Sequence, residues 1–485
     1  MKCNRHGMVT ELLAYQIIED QFTESFTTCG AVPSSITALT DLRKLDMSHS
    51  YFGGGLEILG HFPKLQYVDL SYTDFRGSIP ESISNATSLN YLDLMGVDLS
   101  GSLPCSISHL TALVTLHIGQ RQLYESYVDP SLSAEPTNIP LAQSNMSPLN
   151  RMQGSMDDLS CLAPLTRLQF LSLMSLNLTA GELPSSLSAL SKLGFLDLSF
   201  LPITRLPQWI NSLSGLTYLD VTGNFNVHRS APFPTEWMAF TGLQTLRAGL
   251  NGFTGSIPST ISALTALTEL QLYFNNLTES IPAGISKLAK LRYLGLSYNN
   301  LTGAVPATRA FLQTLELSHN HLTTMPTAIH AQNIKLSHND LKGSVPVNGD
   351  VYSIDLSYNP LSGGLDVLLK TSSTGQLRML HAASCNFSGP FPSYTNINFE
   401  RLDVSNNSFT GPFPSNLLNA ENYIRDINIS HNKFSGVVPR GIWALTSLTS
   451  LDMAHNQLQG PLPSAISSKF LHSISLALFL LAFGP

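Results

Sequence analysis

Apolar residues recur along this chain in one fixed spacing. From Leu267 to Leu277 the pattern reads Leu-x-x-Leu-x-Leu-x-x-Asn-x-Leu, and it returns from Leu291 to Leu301 and from Leu312 to Leu322. Counting first positions gives starts at 42, 65, 89, 113, 168, 193, 216, 243, 267, 291, 312, 331, 351, 377, 399, 424 and 448, which we number as repeats 1 to 17. Most steps are 19 to 27 residues; the step from 113 to 168 is 55 and carries an insertion near residues 124–154. The xLxLx centre alternates with period two, so each repeat predicts a short strand with its leucines inward. One such strand cannot cover its leucines alone, whereas stacked copies share a continuous core. The expected fold class is therefore α/β: a curved solenoid with a parallel sheet on its concave face and short helical turns on its convex face.

Two further signals mark where the chain leaves each strand. Asn fills the ninth position in ten repeats, from Asn224, Asn251 and Asn275 through Asn299, Asn320, Asn339, Asn359, Asn407 and Asn432 to Asn456. Its amide both donates and accepts, so it suits backbone groups buried at a bend. Cys385 stands at this position in repeat 14. A Gly-x-apolar-Pro signature follows, as at Gly77, Gly101, Gly255, Gly303, Gly389 and Gly436, and also at Gly30 and Gly181. The glycine permits a positive φ, and the proline presets the first φ of a helical turn.

Together the two signatures, LxxLxLxxNxLxGxIP at about 24 residues, resemble the plant-type extracellular leucine-rich repeat proteins: receptor-like proteins, receptor-like kinase ectodomains and polygalacturonase inhibitors. The likeness runs from Leu42 to Ile466, giving an N-terminal segment 1–41 with a degenerate repeat, a solenoid 42–466 and an apolar tail 467–485. It implies a non-enzymatic binding module at or outside the cell surface. Its implied partners are a peptide, protein or glycan ligand and a co-receptor kinase that signals. Secreted inhibition of an extracellular hydrolase and an intracellular scaffold are competing readings. The paired cap cysteines of the family are missing, with Cys29 alone near the first repeat.

Charge and composition narrow the partners. With 26 Lys+Arg against 33 Asp+Glu the net charge is −7, and nothing favours a nucleic-acid partner. No GxSxG, HExxH or Walker glycine loop interrupts the repeats, so no catalytic residue, cofactor or metal is assigned. Met1 to Gly30 shows no signal peptide, its one apolar stretch being broken by Glu11. The tail Phe470 to Phe483 would span about 21 Å as a helix, short of a ~30 Å bilayer core. A shortened membrane helix, a lipid-anchor signal and an apolar cap all fit it.

Binding is expected on the concave face, at positions three, five, seven and eight. Aromatic residues gather at the third position, as Tyr67, Tyr91, Phe170, Phe195, Tyr218 and Tyr293. At the eighth, five consecutive repeats give Phe274, Tyr298, His319, His338 and Tyr358. Tyr218, Phe274, Tyr293, Tyr298, His319, His338 and Tyr358 are the candidate ligand contacts, against the alternative that these rings only stack to stiffen the sheet. His431 and His455 likewise share the eighth position on adjacent repeats. Asp at the fifth position of eight repeats reads as a solvated repeat feature. Asn-x-Ser/Thr acceptors occur at Asn85, Asn145, Asn177, Asn276, Asn300, Asn386, Asn406 and Asn428. Cys105 and Cys161 hold nearly the same convex position on successive repeats, which makes them a disulfide candidate, while the one-residue offset between them equally fits a small buried thiol.

Overall fold

The protein is described by a computed structural model, in residues 2–3, 9–13, 30–119, 151–224, 231–326, 329–345, 351–371, 376–392, 398–418, 423–460 and 473–475. It divides into two compact units: Met1–Ala231 with Gly242–Gly252, and Pro232–Thr241 with Phe253–Pro485. In both, the chain is a leucine-rich repeat solenoid built on parallel strands with short helical turns.

Each of the seventeen repeats forms the strand its leucines predict. In unit 1 the strands run Lys44–Asp46, Tyr67–Asp69, Tyr91–Met95, Thr115–Gly119, Phe170–Ser172, Phe195–Asp197, Tyr218–Asp220 and Thr245–Arg247. Each pairs in parallel with the next at identical repeat positions, for example Leu196 with Leu219. In unit 2 the ladder starts at Glu269–Gln271 and Tyr293–Gly295 and continues in register to Ser450–Asp452. First-, fourth- and sixth-position side chains are the core: Leu267, Leu270 and Leu272 are all fully buried.

The ladder extends further than the leucine count. Val9–Leu13 pairs in parallel with the first strand through Leu12 and Leu45. Ser473–Ser475 pairs in parallel with the last, through Ile474 and Leu451. Part of the apolar tail, Ser473–Ser475, is thus a sheet strand rather than a helix. Among the described residues no helix is long and apolar enough to cross a membrane. The insertion is shorter than its composition suggests, because Arg151–Met152 already pairs with Asp98–Gly101; residues 120–150 lie outside the described set.

Apart from the α-helix Asp366–Thr371, the described helical turns are 3₁₀, and proline plays a different part from the one predicted. Pro80, Pro104, Pro258 and Pro282 sit just before the turn with extended ψ of 131–144°. Each lends its carbonyl to the first i→i+3 bond, as when Ile83 N donates to Pro80 O at 3.0 Å. The glycine expectation holds at Gly77, Gly101, Gly255, Gly303, Gly389 and Gly436, all with positive φ, but not at Gly30 or Gly181. A second set of short parallel strands lines the solenoid's flank, as in Asn386–Pro390, Ser408–Gly411 and Lys433–Val437; the leucine spacing did not announce it. In the short repeats 11 and 12 the strands lengthen to Leu312–Glu316 and Ala331–Lys335, so Ala331 lies buried in register with Leu312.

The ninth-position amides make the contacts their chemistry requires. Asn299 Nδ2 donates to Leu296 O of its own repeat at 3.1 Å and to Leu272 O of the preceding one at 2.9 Å. Its Oδ1 accepts from Leu277 N at 3.0 Å. Asn320, Asn339 and Asn359 repeat this set. Cys385 supplies only the donor half, its thiol reaching Leu356 O at 3.3 Å, while Leu361 N turns instead to Asn359 O. Burial pushes the thiol up to about 12. Cys385→Asn should therefore restore an acceptor and raise stability by about 1 kcal/mol, read as a higher Tm. An unchanged or lower Tm would contradict this.

Candidate functional site

Position eight has a backbone of its own. In every repeat whose eighth residue is described, that residue is left-handed, with φ of 51–58° at Phe274, Tyr298, His319, His338 and Tyr358. Its N–H still continues the ladder, as Tyr298 N donates to Ser318 O at 2.9 Å. The twist swings the ninth side chain inward and sets the eighth side chain beside its neighbours one strand away. The five rings of unit 2 therefore form one unbroken stack, with centroids 4.0–4.2 Å apart and planes within 8–14°. The rings are half-buried along the stack, and Tyr358 at its end is 46% exposed. Beyond Tyr358 the column continues through Ser384 and Asn406, then resumes with His431 and His455 stacked at 4.1 Å.

Beside the stack runs a polar row. Gly295 has no side chain, and a Cβ there would meet the Tyr293 ring at 2.8 Å. The ring lies across that space, and its hydroxyl donates to Glu316 Oε2 at 2.5 Å on the next strand. Lys335 Nζ holds the other carboxylate oxygen at 3.0 Å. Burial, then the Glu316 charge, push the Tyr293 phenol far above its ordinary value. Glu316 and Lys335 carry no motif, and only the repeat register places them here. Tyr218 belongs to unit 1, where it stacks on Phe195 at 4.1 Å, so the seven candidate contacts do not form one cluster within unit 2.

The fifth-position aspartates have a structural task. Asp69 Oδ1 accepts from Ser71 N at 3.0 Å, and Asp220, Asp355, Asp403 and Asp452 do the same two residues on. In unit 1 the remaining oxygen faces the third-position tyrosine, as in Tyr67 Oη to Asp69 Oδ2 at 3.3 Å. Burial and Asp69 raise the Tyr67 phenol to about 12. Asp220 is buried next to Asp197 on the adjoining strand; burial first, then that charge, raise its carboxyl well above the ordinary range. Among the described residues no group of three or more His, Cys, Asp or Glu is gathered to hold a metal ion.

The glycan acceptors sort by position. Asn85, Asn177, Asn276, Asn300 and Asn386 are exposed away from the strands' open face, and Asn406 is exposed in the eighth-position column itself. Asn428 is half-buried on a strand, its amide donating to Asp403 Oδ2 at 3.2 Å and accepting from Ser430 N at 3.1 Å. Asn145 lies outside the described residues. Cys105 and Cys161 are joined in a disulfide, Cα atoms 5.1 Å apart, linking the 3₁₀ turns of repeats 3 and 4.

Leucine-rich repeat family profiles match residues 241–301, 397–458 and 64–86. Receptor-like protein 7 of Arabidopsis thaliana is 31% identical over 160 residues, covering 31% of this chain and 14% of that protein. Receptor-like protein 32 of the same plant is 28% identical over 162 residues, covering 30% and 18%. The chain thus spans less than a fifth of the length of these curated relatives. Among solved structures, the ectodomain of the Arabidopsis receptor kinase HAESA, in complex with an N-terminally extended IDA peptide hormone ligand, superposes with a TM-score of 0.72. That match has 26% identity and covers 92% of this chain and 72% of that one. HAESA with IDA and the co-receptor SERK1 gives a TM-score of 0.64 at 25% identity, covering 90% and 74%.

Two buried groups give opposite pH signatures. Burial and the neighbouring His338 lower His319 to about 4, so the unfolded chain binds the extra proton as pH falls from 6.5 to 4 and stability is lost. His319→Tyr should gain Tm over the parent progressively across that window; a constant offset would contradict it. Asp220 is raised, so the folded state holds the extra proton and stability falls as pH climbs from about 4 toward neutrality. Asp220→Asn should be favoured most at pH 7, and an advantage that shrinks with rising pH would contradict that.

Proposed function

We propose that this chain, which is a plant-type extracellular leucine-rich repeat protein, is the recognition module of a receptor-like protein and binds an extended peptide segment along the open face of unit 2. The observation that carries this reading is the five-ring stack. Its rings are fixed before any ligand arrives, so little side-chain entropy remains to be lost on binding. Stacked rings turn their edges outward, and the Tyr and His members offer polar perimeter groups at regular steps. The row Tyr293–Glu316–Lys335 adds anchored polar groups alongside. A peptide laid across several strands meets both rows, which suits an extended ligand better than a compact one.

The likeness to HAESA, a peptide hormone receptor seen with a co-receptor, supports the same division of labour. Here the solenoid binds and a co-receptor kinase signals. The Cys105–Cys161 disulfide and the exposed glycan acceptors suit an oxidising compartment outside the cell. No catalytic step is assigned to it.

A library of displayed dodecapeptides selected on the full chain should yield binders that need the stack. Replacing Phe274, Tyr298 or Tyr358 by Ala should weaken the best binder by about 2 kcal/mol or more, roughly 30-fold, at one or two of the three. Binders indifferent to all three substitutions would remove the stack from the site.

A further inference from the structure

Unit 1 presents a strip of different chemistry, independent of the reading of unit 2. Third-position rings Tyr67, Tyr91, Phe195 and Tyr218 form its upper layer, and the fifth-position carboxylates of the same strands lie beneath them. The chain seats its own cations on both ends of this strip. Lys44 Nζ stands 4.1 Å from the Tyr67 ring centroid and 3.4 Å from Asp46 Oδ2. At the other end the Arg247 guanidinium lies 5.8 Å from the Tyr218 centroid, and its charge favours the ionised form of Asp220.

The middle of the strip is built differently. Repeat 4 carries Thr115 at the third position, so one ring is missing between Tyr91 and Phe170. His117 leans into the opening, its centroid 6.4 Å from Tyr91 and 6.1 Å from Phe195, with Nδ1 held at 3.0 Å by Asp93 Oδ2. Phe170 tilts 35° from Phe195 at 6.1 Å rather than stacking on it, and is 43% exposed. Below are Asp93 and Asp197, 8% and 4% exposed, whose charge is felt through a poorly solvated layer rather than by direct contact.

We propose that the bay at Phe170 binds an arginine side chain of a partner polypeptide. A guanidinium is flat, weakly hydrated and always charged, so it lies on a ring face as an ammonium or a neutral group does less well. The electrostatic complement is present in Asp93 and Asp197, and an anionic group would be repelled by them. Lys44 and Arg247 show the same ring-over-carboxylate seating within the chain itself.

The test uses the full chain and fluorescein-labelled hexaarginine, with hexaglutamate as control, followed by anisotropy at 25 and 150 mM salt. Hexaarginine should bind saturably and hexaglutamate should not. Phe170→Ala should weaken binding about five-fold, Phe170→Tyr should retain it, and Phe170→Lys should abolish it. Because the net charge of −7 attracts any polycation, Asp340→Asn in unit 2, which changes the charge by as much as Phe170→Lys does, serves as the charge-matched control and should leave the affinity unchanged. Circular dichroism verifies that each variant is folded, since Phe170 is exposed. Equal affinity for parent, Phe170→Ala and Phe170→Lys, or a loss in Asp340→Asn as large as in Phe170→Lys, would overturn the proposal.

Discussion

In ten of the seventeen repeats a carboxamide turned inward at the ninth position ties the repeat to the one before it. Where a strand bends away, its backbone groups are buried without a sheet partner, and each must find one. Asn299 satisfies carbonyls of two successive repeats and an N–H of the earlier one. No repeat completes its hydrogen bonding alone, so the fold is cooperative between neighbours. The inward turn also requires the left-handed residue at position eight. That conformation costs roughly 1–2 kcal/mol for a residue with a Cβ. A stacked aromatic pair returns about 0.5–1.5 kcal/mol. The ring column of unit 2 is thus a by-product of how the amide is buried, and it coincides with the surface proposed for the ligand.

The row beside Tyr293 and the strip of unit 1 use one scaffold to different electrostatic effect, and the difference lies at position five. In unit 2 Gly295 lets the Tyr293 ring cross to the next strand, where its hydroxyl, Glu316 and Lys335 form a neutralised row. In unit 1 the same position is repeatedly Asp, which draws the tyrosine hydroxyl back onto its own strand, as at Tyr67, Tyr91 and Tyr218. One face is polar and balanced, the other aromatic above buried negative charge.

Strands, core and ninth-position contacts were legible because their signals are periodic, and each recurrence tests the last. Less regular features escaped. The strands at Val9–Leu13 and Ser473–Ser475 have the spacing without neighbouring repeats to advertise it. Proline's place before the turn depends on i→i+3 bonding, which composition does not distinguish from α-helical bonding. The candidate contacts were readable as columns, but columns do not tell which unit holds them, and Tyr218 falls with unit 1. Glu316 and Lys335 become visible only once Gly295 is seen to admit the Tyr293 ring.

A solenoid bears tension poorly, since each rung peels from the next in turn. The disulfide between Cys105 and Cys161 interrupts that sequence. The cysteines are 56 residues apart along the chain, a stretch of roughly 190 Å if drawn straight. Force reaching one sulfur passes to the other without entering that stretch. Under load, the residues between the two sulfurs carry no tension, and a pull from the amino end passes from the turn of repeat 3 straight to that of repeat 4 until the bond is reduced.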